Sequence, residues 1–276
     1  MSTNNRGMAA GDFKSPLYEM TQTTPTCLWN DSASVPELLY AIDNGAVGAT
    51  CNPVIALTVV RQEFSKWGPR LREMVDENPA ATEDQLGWRL VEEVSQSAAA
   101  VLAPVFEAEK GRNGRLSIQT DPRSYRDTKA ILRQAERFSR LADNMIVKIP
   151  ATSAGIPAIE EATYQGISTN ATVSFTVPQA VQVAEAVERG LRRREAEGKD
   201  TSQMGPVCTI MVGRLDDWLK VTAERQGILT DPGHFEWAGV AVFKRAYEIY
   251  CERGYRARLL SAAFRSHFHW SELIGG

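Results

Sequence analysis

Along the chain, short runs of branched apolar residues alternate with longer stretches in which apolar positions recur every three to four residues. This is the pattern of buried strands separated by amphipathic helices. Residues 145–152 read Met-Ile-Val-Lys-Ile-Pro-Ala-Thr, and an apolar run of this length closed by proline predicts a strand buried on both faces, as in a parallel sheet. Six further strands are predicted over residues 25–31, 47–53, 116–121, 167–173, 207–212 and 258–263. Helical patterns cover residues 35–42, 125–141, 178–194, 215–225 and 235–253, the first with Ser34 and Glu37 spaced as a capping box. Between the second and third strands, residues 59–67, 70–76 and 83–109 supply at least two helices where a simple βα unit needs one.

Seven strands alternating with helices predict an α/β fold with a parallel sheet. That number in one chain predicts a closed (β/α)8 TIM barrel with extra helices between strands two and three. An eighth strand would have to follow Gly276. The expectation is therefore a chain that continues beyond this residue in the natural protein, because an open seam leaves two unpaired strand edges. Residues 1–24 read as a polar leader and residues 25–276 as a single barrel domain.

Composition narrows the function classes. With 276 residues and 43% hydrophobic content, the chain can bury one large core. A net charge of -3 and a pI near 5.8 give no electrostatic case for nucleic acid. The basic cluster 189–199 is interrupted by Glu195 and Glu197 and reads as a solvated helix end. Cys27, Cys51, Cys208 and Cys251 are widely spaced, which indicates neither a zinc site nor a disulfide framework. The first residues lack the apolar core of a signal peptide, and no run reaches the roughly 18 apolar residues of a membrane span. A cytoplasmic chain without a membrane partner is expected. Oligomeric state stays open, a homo-oligomer included. No G-x-G-x-x-G opens any of the helices, so a dinucleotide site is unsupported.

The candidate chemistry centres on Lys148, a lone amine inside an apolar strand. Lysine is almost never fully buried unless something pairs with it or uses it. An ordinary lysine, with a pKa near roughly 10.4, is neutral in only about one molecule in 2,500 at pH 7. Lowering that pKa to about 7 costs the charged form roughly 4 to 5 kcal/mol, which burial and a neighbouring cation can supply. The functional reading is a Schiff-base nucleophile; the alternative is a lysine that reaches out of the strand end to solvent.

In β/α barrels, chemistry sits where strands meet their following loops. Those positions hold Asp31, Asn52, Gln119, Lys148, Asn170, Thr172, Thr209, Arg214 and Arg265. Two guanidiniums in a barrel mouth suit a phosphate, and an amine with a carboxylate suits carbon–carbon cleavage next to a ketone. Each arginine taken singly could instead be a structural ion pair, and Asn52 and Asn170 could be loop caps. His267 and His269 form H-x-H without a third ligand beside them, so ordinary loop histidines are preferred to a metal. His234 reads as part of a helix start.

The segments GATCNP, LSIQTDPR, NMIVKIPAT, GISTNATVSFT, MVGRLDDW and SAAFRS, in this order, resemble the successive signature segments of the transaldolase family of class I aldolases. The resemblance runs from about Thr26 to Ser266. It implies a (β/α)8 barrel in which Lys148 forms the Schiff base and Asp31 takes the proton from the C4 hydroxyl of a ketose phosphate. Asn52 and Asn170 match residues that hold the dihydroxyacetone unit, and Thr172 matches the hydroxyl that positions a catalytic water. Thr209 matches a substrate-contacting serine, and Arg214 and Arg265 match phosphate-binding arginines. Phosphorylated ketoses and aldoses are the implied substrates. No cofactor is implied, because the iminium itself is the electron sink.

Three positions depart from the family pattern. Gln119 stands where classical transaldolases carry a proton-shuttling glutamate, and the fructose-6-phosphate aldolase subgroup has glutamine there. Ala263 replaces a serine expected near the phosphate, and Met211 replaces an aromatic residue. The expectation is a transaldolase. Its rivals are an aldolase that releases dihydroxyacetone to water and a catalytically silent barrel that binds sugar phosphates or another protein.

Overall fold

Period-two alternation in the strands divides the molecule into an apolar layer outside the sheet and a polar lining within it. In a computed structural model describing residues 13–275, the elements run α1 (Pro16–Thr23), β1 (Leu28–Asn30), α2 (Val35–Asp43), β2 (Ala46–Cys51), α3 (Pro53–Gln62), α4 (Phe64–Glu77), α5 (Glu83–Ala108), β3 (Arg115–Gln119), α6 (Thr128–Ser139), β4 (Met145–Pro150), α7 (Gly155–Gln165), β5 (Thr169–Ser174), α8 (Val177–Ala196), β6 (Val207–Ile210), α9 (Val212–Gln226), α10 (Ala238–Arg253), β7 (Arg258–Ser261) and α11 (Phe268–Ser271). Ala49, Cys51, Leu116, Ile118, Val147, Ile149, Ala171, Cys208 and Ile210 all point away from the lining and are fully buried. They form the core between sheet and helices, at about 1.5–3 kcal/mol for each large aliphatic side chain.

The seven strands pair in sequence order, every pair parallel. Contacts across the interior show that the sheet curls. Arg258 of β7 donates from Nη1 to Asn113 Oδ1 and from Nη2 to the Arg112 carbonyl, both at 2.8 Å, just ahead of β3. Asp31, beyond β1, lies in charge contact with Lys148 of β4. The fold is a (β/α)8-type barrel in which, among the described residues, β1 and β7 each pair on one side only. At the amino ends of the strands, buried Arg115 donates to the carbonyls of Gly111 and Gln203. Desolvation, with Arg258 nearby, lowers its pKa to about 10.

Within residues 13–24 of the polar leader, Ser15 caps α1 by accepting from the Tyr18 N–H, and Lys14 pairs with Asp43 at 2.7 Å. The reading of residues 1–12 as part of that leader, and of Gly276 as the last barrel residue, falls outside the described residues. The Ser34–Glu37 capping box does not form. The Ser34 hydroxyl donates to Glu63 instead, at 3.1 Å, and makes no cap bond. The predicted helix 59–67 straddles the end of α3 and the start of α4, which meet at Glu63, and the predicted helix 70–76 lies within α4. Helix 235–253 begins as a 3-10 turn, Pro232–Trp237, before α10. Helix α7 was not anticipated, although Ala158, Ile159, Ala162 and Thr163 give it a buried face.

Candidate active site

The register of the central strands brings three predicted residues into one row of the mouth and a fourth just above it. Gln119 pairs with Lys148 and Lys148 with Asn170, while Pro150 pairs with Thr172 one step nearer the carboxyl end. The flanking residues Val147 and Ile149 face the helices and are fully buried, so Lys148 must point inward. Burial lowers its pKa below that of an ordinary lysine, an effect only partly opposed by the negative charge of Asp31 and by Cys51. Lys148 is half-buried, and its inward direction favours an amine held in the barrel over one that reaches out to solvent.

Asp31 sits one residue past β1 and is exposed at the mouth. Its carboxylate accepts from the Thr50 hydroxyl at 2.5 Å, which orients one oxygen and leaves the other open. Trp29, two residues earlier on the same face, lies across Gly48. A Cβ there would come within 2.5 Å of the indole, so only glycine lets the ring fill that part of the interior.

Asn52 does cap a helix. Its Oδ1 accepts from the N–H groups of Val54 and Ile55, both at 2.9 Å, at the start of α3, and only its Nδ2 is left for the mouth. Asn170 is fully buried; its Nδ2 donates to Ser117 Oγ at 3.0 Å and its Oδ1 accepts from the Thr209 hydroxyl at 2.7 Å. An amide has two donors and two acceptor lone pairs, so one of each remains. Ser117 was missed by sequence reasoning, although it stands two residues before Gln119 and so shares its face. Thr50 has the same relation to Asn52.

Thr172 is aimed by an irregularity. The β5–β6 register shifts between Ala171 and Ser174, and Val173 takes φ 54°, a left-handed conformation that costs a β-branched residue roughly 1–3 kcal/mol. Gln179 holds the bulge by donating to the carbonyls of Val173 at 3.1 Å and Ala151 at 3.3 Å. Among the described residues, the Thr172 hydroxyl has no hydrogen-bond partner but Met211 Sδ, at 3.8 Å. It is therefore available to water or substrate.

The two arginines occupy neighbouring segments. Arg214 stands in the first turn of α9 with an exposed side chain and no ion pair among the described residues. Arg265 follows β7; its Nε donates to Asp217 Oδ2 at 3.0 Å and its Nη1 to the carbonyls of Ala263 and Phe264. The segments are in close contact, since a Cβ on Gly213 would stand 2.7 Å from Arg265 Cγ. No side chain caps α9, so its amino end adds N–H groups and a partial positive charge to this corner. The arrangement can accept an anion.

His267 and His269 do not share a strand face. They lie at the start of α11, and His269 is fully buried, with Nε2 at 2.7 Å from Asp216 Oδ2. It is not an ordinary loop histidine. No local pattern could have found a partner 53 positions away. His234 does belong to a helix start, in the Pro232–Trp237 turn, with Nδ1 3.0 Å from the Thr230 hydroxyl.

Fold and site together define a parallel β/α barrel with a desolvated lysine at its centre and a cationic corner at its rim. Residues 28–276 match the family described as Transaldolase/Fructose-6-phosphate aldolase. The chain is 33% identical over 246 residues to a protein named transaldolase from Kocuria rhizophila, a match covering 83% of this chain and 66% of that one. It is 32% identical over 256 residues to a transaldolase from Acidothermus cellulolyticus, covering 86% and 65%. It is 38% identical over 157 residues to transaldolase 2 of Streptomyces avermitilis, covering 56% and 42%. The chain belongs to the transaldolase/fructose-6-phosphate aldolase family, within the class I aldolase superfamily. It spans between 42% and 66% of the length of these three relatives.

Proposed function

We propose that this protein is a transaldolase, a transferase that moves a dihydroxyacetone unit between sugar phosphates through a Schiff base on Lys148. The observation that carries the reading is the environment of that amine: inside the barrel, held below the usual lysine pKa by desolvation, and beside Asp31. A neutral amine is the nucleophile such chemistry requires.

In this reading the phosphate of a ketose such as fructose 6-phosphate or sedoheptulose 7-phosphate binds Arg214 and Arg265. The lysine lone pair attacks the C2 carbonyl, and the carbinolamine loses water to give an iminium. Thr172 and Gln119 hold the water that carries these protons; a carboxamide does not titrate, so Gln119 positions rather than exchanges. Asp31 then takes the C4 hydroxyl proton and the C3–C4 bond breaks, its electron pair passing into the iminium to leave an enamine. An aldose phosphate departs. The enamine attacks an acceptor aldehyde, and hydrolysis of the new iminium frees the lysine. The Nδ2 of Asn52, the remaining amide valences of Asn170 and the Thr209 hydroxyl line the dihydroxyacetone pocket.

The reading extends to a cytoplasmic role in carbohydrate metabolism of the pentose phosphate kind. Borohydride reduction in the presence of fructose 6-phosphate is expected to fix a three-carbon adduct on the peptide containing Lys148 and none on a Lys148→Ala variant. An unlabelled Lys148 peptide in an active sample removes the mechanism. Turnover with and without erythrose 4-phosphate separates transfer from release of dihydroxyacetone to water, the balance on which Gln119 bears.

A further inference from the structure

We propose that the buried pair His269–Asp216 is a positioning device for Arg265 and thereby sets how strongly the mouth holds a substrate's phosphate. The inference rests on the preceding assignment of Arg265 to that phosphate.

Both side chains of the pair are sealed from solvent, His269 at 0% and Asp216 at 1% exposure. The carboxylate can only accept, so the 2.7 Å contact places a hydrogen on His269 Nε2. The other ring nitrogen is then a lone-pair acceptor. It faces two donors, the backbone N–H of Arg265 at 2.9 Å and that of Ser266 at 3.5 Å. The tautomer is thus fixed from both sides of the ring. The second oxygen of Asp216 accepts from the Gly239 N–H at 2.9 Å, at the start of α10, and the His269 carbonyl accepts from the Ser261 hydroxyl at 3.0 Å, at the end of β7.

The relay joins the two arginines through the protein interior. Arg214 and Asp216 both lie on α9, so its first turns carry one arginine directly and anchor the other through His269. Arg265 also meets α9 through its ion pair with Asp217, but that link is at the surface, whereas the His269–Asp216 link is sealed from solvent. The loop is strained and closely fitted to α9. Ala263 sits at φ 62°, a conformation unfavourable for a residue with a Cβ, and Gly213 packs so tightly that an added Cβ would lie 2.1 Å from the Ala263 carbonyl oxygen. With Nε and Nη1 of Arg265 committed to Asp217 and to carbonyls, Nη2 has no protein partner among the described residues. A fixed backbone at Arg265 aims that remaining edge.

The test uses two histidine replacements in the full chain. His269→Asn keeps an acceptor near Nδ1 for the Arg265 N–H, whereas His269→Gln keeps a donor near Nε2 for Asp216 and loses that acceptor. The readout is the ratio of kcat/KM on fructose 6-phosphate to that on unphosphorylated fructose, with inhibition by inorganic phosphate as a direct measure of the anion site. The expected result for His269→Gln is a loss of about tenfold in that ratio, carried by KM, the size that one misdirected charge-assisted hydrogen bond gives. Phosphate inhibition weakens in parallel, borohydride trapping of dihydroxyacetone on Lys148 is unchanged, and His269→Asn retains most of the ratio. Equal losses on both ketoses, or an unchanged ratio in His269→Gln, overturn the proposal. Should His269→Gln not fold, His269→Ala, which likewise removes the acceptor for the Arg265 N–H and adds no bulk, carries the same expectation and the same overturning results. Arg265→Ala is the separate control: an undiminished ratio in that variant removes the phosphate assignment itself.

Discussion

Replacing Asn170 with alanine should destabilise the protein by about 2–6 kcal/mol, before any question of substrate. The amide is fully buried and, among the described residues, is the one hydrogen-bond partner of the side chains of Ser117, itself fully buried, and Thr209, 2% exposed. Truncation orphans one acceptor and one donor, each at about 1–3 kcal/mol. For a chain of this size, at about 2–4 °C per kcal/mol, the thermal midpoint should fall by roughly 5–20 °C. The decisive comparison is the same truncation in a Ser117→Ala, Thr209→Val background. There Asn170 is itself the unsatisfied buried group, so its removal orphans nothing and should be near neutral apart from the small cavity common to both backgrounds. Urea unfolding of the four proteins measures the difference. If Asn170→Ala costs the same in both backgrounds, the Ser117–Asn170–Thr209 chain contributes nothing to stability, and the reasoning that made these residues structural as well as substrate-facing is wrong.

Other perturbations test the remaining parts of the site. The Lys148 pKa is depressed in the folded state, so the unfolded chain binds more protons between that value and the ordinary lysine pKa. Its unfavourable contribution is therefore complete below this window and fades as pH rises through it. Lys148→Met should accordingly stabilise the fold more at pH 6.5 than at pH 10 by denaturant titration, and an equal gain at both would contradict the shift. Gly213→Ala would set a methyl 2.1 Å from the Ala263 carbonyl oxygen and 2.7 Å from Arg265 Cγ; inhibition by inorganic phosphate should weaken by about tenfold, and unchanged inhibition would mean that the loop is free to shift. Gln119→Glu introduces a titrating group beside Lys148 in the strand register. The pH profile of kcat should gain a limb absent from the parent, and superimposable profiles would exclude a proton-relay position there.

Why some of this was legible in the chain and some was not is a matter of range. The fourth strand and its lysine could be read because apolar alternation and a closing proline act over a few neighbours. The seven strand positions followed by the same logic, to within a residue or two at most ends. The capping box at Ser34 and Glu37 failed although its spacing was right, because Glu63, brought there by the α3–α4 corner, competes for the same hydroxyl. A tertiary partner overrode a local signal. Helix α7 was overlooked despite its buried face, and Gly166 ends it in a left-handed conformation, φ 93°.

By itself the sequence determined the strand–helix alternation, the polar strand ends, Asp31 among them, and the family segments that carry Lys148 and the two arginines. Those properties depend on residue type and on spacings shorter than one element. Only the tertiary structure decided which polar groups are already satisfied and which remain free: Asn52 spends its oxygen on α3, Asn170 is shared between Ser117 and Thr209, and Arg265 leans on Asp217. The structure alone also joined His269 to Asp216. Desolvation and hydrogen-bond satisfaction are properties of a packed interior, where residues distant in the chain compete for the same donors and lone pairs, and no local pattern encodes the outcome.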